Sequence, residues 1–152
     1  MATVFEKLNF KGQQEIVVVN APSTFEPELS QLTGVVVHRK PAAVSEISFC
    51  LAFVTTQVEV DALTRQIAPK AKGDALVWFA YPKGSSRKYK CDFNRDSGWA
   101  ALGAAGFEGV RLVAIDEDWS AMRFRRVEFI KSMSRDSKRA MSSVGKKKVA
   151  RK

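Results

Sequence analysis

Two continuous apolar runs constrain this chain more than any other feature: ISFCLAFVT at residues 47–55 and ALVWFA at residues 75–80. Each has strand length and lacks alternation of apolar and polar positions, the pattern of a strand covered on both faces. Between them Val60, Leu63 and Ile67 recur at helical spacing, and Pro69 and Gly73 end that segment. A buried strand, a helix and a second buried strand form a βαβ unit. Such a unit lays its two strands parallel in one sheet under helical cover.

The rest of the chain extends this alternation. QEIVVV at residues 14–19 predicts a first strand, stopped by Asn20-Ala21-Pro22. Residues 23–31, with Pro27 near the start, predict a short helix that Gly34 breaks. The valines at 35–37 predict a second strand. Asp96 or Ser97 is placed to cap a helix running through Trp99, Leu102 and Ala105 to Gly106. VRLVAI at 110–115 predicts another strand, and MRFRRVEFI at 122–130 alternates in the manner of an edge strand. The expected fold is a compact three-layer α/β domain, with a mostly parallel central sheet and one antiparallel edge strand.

Charge divides the chain. Residues 1–124 carry 14 Lys or Arg and 14 Asp or Glu, whereas residues 125–152 carry 11 and two, so the net charge of +9 belongs to the end of the chain. This predicts one domain over residues 1–131 and a basic, flexible tail over 132–152. Lys146-Lys147-Lys148 and Arg151-Lys152 suit nonspecific, salt-sensitive contact with nucleic acid phosphates. Glu6 and Lys7 stand where a secretory leader needs its apolar stretch, and no apolar run reaches 18 residues. Cys50 and Cys91 form no CxxC pair. A cytoplasmic protein without a membrane span is expected, with no metal site and no cofactor fingerprint.

The most suggestive polar segment follows the strand at 75–80. Lys83, Gly84, Ser85, Ser86, Arg87 and Lys88 form a basic, glycine-containing loop at a strand's carboxyl end, where open α/β sheets hold ligands. Lys83, Arg87 and Lys88 offer cations, Ser85 a hydroxyl and Gly84 close backbone approach, so the loop is a candidate site for an anionic small molecule. Tyr81 and Tyr89 flank it as stacking candidates.

The motifs WFAYPKGSS and VAIDEDWSAMRFR, with the earlier Asn20-Ala21-Pro22, resemble a family of small bacterial proteins grouped as a domain of unknown function (DUF3052-like). The resemblance covers roughly residues 4–126. It aligns Tyr81, Pro82 and Lys83 with one family motif, and Asp116, Trp119, Ser120, Arg123 and Phe124 with another. It implies a shared architecture and carries no reaction with it.

Other polar residues carry weaker signals. Asp116, Glu117 and Asp118 cannot all face one way on a strand, and a structural clasp in which Trp119 packs while Asp116 orients Arg123 is the preferred reading. His38, the single histidine, lacks a nucleophile elbow to serve. Taken together, the residues predict an anion-binding module with added nucleic-acid affinity from its tail. Two alternatives stand beside it. One is an enzyme acting on a phosphorylated or nucleotide-like molecule, with Asp96 or Asp116 as base. The other is a homodimer paired along residues 122–130.

Overall fold

The structure is a computed structural model and describes residues 3–92 and 98–130. The expected tail and the expected Asp96 or Ser97 cap lie outside the described residues.

A six-stranded sheet organises the chain: β1 (Glu15–Val19), β2 (Val36–His38), β3 (Ile47–Phe53), β4 (Ala71–Pro82), β5 (Phe107–Ala114) and β6 (Trp119–Arg126). Their order across the sheet is β2-β1-β3-β4-β6-β5. The first four strands are mutually parallel, and β6 runs antiparallel to both β4 and β5. The mixed α/β architecture with a mostly parallel sheet is therefore as the sequence predicts. The antiparallel strand, however, is not outermost. β6 is inserted between β4 and β5, and β5 forms the edge. The strand expected to pair two copies is thus already paired on both sides. It ends at Arg126, and a 3-10 turn follows over Val127–Phe129.

Helices cover both faces. α1 (Val4–Lys7), a 3-10 turn (Ser23–Phe25) and α2 (Glu26–Ser30) bury Val4, Phe5, Leu8, Phe25 and Leu29 against one face. α3 (Gln57–Ile67) and α4 (Ala100–Ala104) bury Val60, Leu63, Ile67 and Leu102 against the other. Adjacent strand residues point to opposite layers. Trp78 accordingly joins the first cluster and Phe79 the second, both fully buried. The Trp78 indole Nε1 donates to the Leu8 carbonyl at 2.9 Å, which ties the amino-terminal segment to the sheet centre.

Local chemistry fixes the element that leads into the site. Thr56 and Glu59 form a capping box at the start of α3, and Glu59 Oε1 also accepts from the Thr55 amide at 2.8 Å. At the other end of α3, Arg126 Nη2 donates to the carbonyls of Ala68 and Ala71 at 2.7 and 2.9 Å. Its guanidinium lies 4.7 Å from the Phe107 ring centroid, a cation–π contact. β6 therefore pins the α3–β4 turn from across the sheet.

Candidate functional site

The carboxyl ends of the parallel strands share one edge of the sheet, and the chain forms a cleft of about 530 Å³ there over β4, β5 and β6. Its lining includes Tyr81, Pro82, Lys83, Tyr89, Leu112 and Ser120. β4 supplies Tyr81 and Pro82, β5 supplies Leu112, and β6 supplies Ser120. Pro82 sits at the last position of its strand.

The basic loop forms one wall of the cleft, and internal hydrogen bonds shape it. The Lys83 amide donates to the Asp118 carbonyl at 2.8 Å, and Ser86 Oγ donates to the Asp118 carboxylate at 2.9 Å. Ser86 Oγ in turn accepts from the Tyr89 amide at 3.1 Å. Asp92 closes the described part of the loop: its amide donates to the Thr55 carbonyl at 3.2 Å and its carboxylate accepts from the Gln57 amide at 2.7 Å. Lys83 and Gly84 line the cleft, as do Ser86 and Lys90, whereas Ser85, Arg87 and Lys88 are exposed and outside its lining. The five anion-binding candidates Lys83, Gly84, Ser85, Arg87 and Lys88 are therefore divided, with the Asp118 carboxylate bonded into the loop.

The Asp116–Arg123 clasp does not form. Asp116 Oδ1 accepts from the amides of Asp118 and Trp119 at 2.8 and 2.9 Å, so it shapes the β5–β6 turn. Arg123 instead approaches Asp74, with Nη2 3.7 Å from Oδ1. Arg125 forks onto the same carboxylate at 2.8 and 2.7 Å. Burial pushes the Arg123 pKa down; Asp74 opposes that shift, and the neighbouring cations Arg125 and Arg111 add to it. The hydrogen bonds to Asp74 raise that of Arg125. Trp119 packs edge-on to Phe53 at 5.1 Å and against Tyr89 at 4.9 Å between ring centroids. Its buried Nε1 has no acceptor among the described residues. Tyr89, read as a base-stacking candidate, is thus partly spent on internal packing.

The remaining sequence candidates are placed as follows. His38, at the end of β2, has Nε2 3.0 Å from Glu15 Oε1. Cys50 is fully buried, and burial pushes its thiol up to about 12. No group of three or more His, Cys, Asp or Glu able to hold a metal occurs among the described residues. No described helix is long and apolar enough to cross a membrane.

No family model matches the sequence, and no curated protein matches it. Solved structures do match its shape. One is a SAM-dependent methyltransferase from Aquifex aeolicus, with a TM-score of 0.60 at 14% identity over 82% of this chain and 88% of the other. Another is a protein of Sulfolobus solfataricus assigned to the type 11 methyltransferases, with a TM-score of 0.52 at 8% identity over 84% and 94%. A third is the pyocyanin biosynthetic protein PhzM, with a TM-score of 0.55 at 11% identity over 82% of this chain and 53% of that one. The likeness is one of fold, a Rossmann-like α/β sheet. The reading as an anion-binding module is overturned by this likeness, since two of the structures that share the shape are described as methyltransferases. The alternative of an enzyme is nearer in kind, but its phosphorylated substrate has no support, and the homodimer strand is buried in the sheet.

The Aquifex aeolicus structure is described as SAM-dependent, and the residues of this chain can be set against such a cofactor. Nucleoside-binding sheets of this type use a glycine-bearing turn after the first strand and a carboxylate after the second to hold the ribose. Here the first turn reads Asn20-Ala21-Pro22-Ser23, without glycine. The second strand ends at His38 and is followed by Arg39, whose guanidinium is held by both oxygens of Glu26 at 2.8 Å. Neither the turn nor the strand end fits the cofactor. In the sequence Asn20 stands out only as a strand stop. Glycine's absence from the first turn was the available signal.

Proposed function

We propose that this chain is a methyltransferase-type domain that works on a small molecule held in the cleft over β4, β5 and β6. The single observation that carries the reading is the position of that cleft, at the carboxyl edge of a sheet whose fold matches methyltransferases. Its lining suits a flat, partly apolar molecule with hydrogen-bond acceptors. Tyr81, Pro82 and Leu112 offer apolar surface, and Ser120 and Lys83 offer donors. The reading assigns the ligand site and no transfer step, since the first turn does not fit the methyl donor.

The test is ligand-observed NMR of the full chain with S-adenosylmethionine, S-adenosylhomocysteine and a set of aromatic fragments, repeated on Leu112→Trp, which fills the cleft. Binding by at least one probe that Leu112→Trp removes supports the reading. Binding that survives the substitution, or an absence of binding by every probe, counts against it.

A further inference from the structure

The residues that replace the nucleoside cradle are bonded to one another across the strand ends, and they close it. Asn20 has a left-handed backbone with φ 58°, a conformation that asparagine tolerates better than most side chains. That backbone turns its side chain across the sheet, and Nδ2 lies 3.4 Å from the Phe53 carbonyl at the end of β3. β1 is where the connections change direction, with β2 on one side and β3 on the other. The Asn20–Phe53 contact therefore spans the crevice in which such sheets receive ligands. Phe25, buried directly after the turn, packs on Phe53 with ring centroids 5.0 Å apart, and Phe53 meets Trp119 at 5.1 Å. Ring contacts thus link the turn after β1, the end of β3 and the start of β6. On the far side, Arg39 after β2 and Glu26 at the start of α2 close the gap with a two-bond fork.

We infer that Asn20, Phe25, Phe53 and the Arg39–Glu26 pair form an internal latch in place of the cofactor cradle, and that the chain takes no nucleoside at its first turn. A nucleoside there would have to break the Asn20–Phe53 contact, expel Phe25 from the core and find its ribose facing a guanidinium. The latch joins β1, β2, β3 and α2, so its role is structural. This inference stands apart from the cleft reading: a ligand over β4 neither needs nor disturbs the latch.

Backbone-amide NMR of the full chain, titrated with S-adenosylmethionine, S-adenosylhomocysteine and adenosine, tests it. No saturable shift, or shifts confined to Tyr81, Lys83, Leu112 and Ser120, is the expected result. Saturable shifts at Asn20, Ala21, Phe25 and Arg39 would overturn it, whatever the cleft residues do. A second arm needs no ligand. Asn20→Ala loses the cross-strand contact and strains a left-handed position, so its Tm is expected to fall by about 3–6 °C. Asn20→Gly relaxes the backbone and is expected to fall less. An Asn20→Ala chain as stable as the parent would remove the latch.

Discussion

The guanidinium of Arg39, one residue past β2, forks onto both carboxylate oxygens of Glu26 in the first turn of α2, each bond 2.8 Å long. The pair joins two connections that lie 13 residues apart in sequence. It holds the Glu26 carboxyl below its ordinary value of 4.5. A depressed carboxyl stabilises the fold above the unfolded pKa and loses that contribution as pH falls through the folded value. Glu26→Gln is therefore expected to lower Tm slightly at pH 7, with the difference from the parent vanishing as pH falls from about 4.5 through the lowered value. Because the pair is exposed, added salt shrinks the difference as well. Thermal unfolding at several pH values and two salt concentrations measures both effects.

Trp78 is a strict test of the core. It is fully buried, and its indole donates to Leu8. Trp78→Phe leaves the Leu8 carbonyl without this donor and removes ring volume, at a combined cost of about 2–4 kcal/mol. Denaturant unfolding should show the loss as a lower midpoint with an unchanged slope.

The start of α3 depends on its capping box. Thr56→Ala removes the acceptor for the Glu59 amide and is expected to cost about 0.5–2 kcal/mol. Thr56→Ser keeps the oxygen and should recover most of that stability in the same unfolding measurement.

The two cysteines should differ in reactivity. Cys50 is buried with its thiol pushed up to about 12, and Cys91 is partly exposed at the cleft. At pH 8 a thiol reagent such as dithiobisnitrobenzoate is expected to modify one thiol per native chain, removed by Cys91→Ser. The Cys50 thiol should appear only when denaturant is added, because the thiolate is the reacting species.

At Gly109 the sheet is tight. A Cβ there would lie 2.6 Å from Met122 Sδ and 3.4 Å from its Cγ. The obstacle is a flexible side chain, so Gly109→Ala is expected to cost only about 1 kcal/mol as Met122 changes rotamer. Gly109→Val brings branched carbons toward Met122 and Phe124 and should cost more, as thermal unfolding would show.

Much of the parallel half of the fold is legible in local pattern. α3 ends at Ile67, two residues before Pro69, as its apolar spacing and proline stop predict, whereas Gly73 lies inside β4. Trp78 and Phe79 face opposite layers, as strand geometry demands. The antiparallel half was harder to read. β6 alternates apolar with basic residues because Arg123 and Arg125 reach Asp74 across the sheet, and that resembles an exposed edge until the pairing is known. β4 starts at Ala71, well before its apolar run, since Lys72, Gly73 and Asp74 are exposed there. The site divides in the same way. Lys83 and Gly84 follow from a loop after a buried strand, whereas Leu112 and Ser120 join them only through long-range pairing of β5 and β6 with β4. The Asp116 turn bonds were within reach of local rules, as aspartate commonly accepts from amides two or three residues onward.

A crystallographic fragment screen on the full chain locates binding in the cleft or at the strand ends without assuming a ligand. Density for bound fragments is expected beside Tyr81, Lys83, Leu112 and Ser120, with the Asn20–Phe53 contact and the Arg39–Glu26 fork intact. A molecule bound over the ends of β1 and β2, between Asn20 and His38, with the cleft over β4 empty, would contradict that expectation.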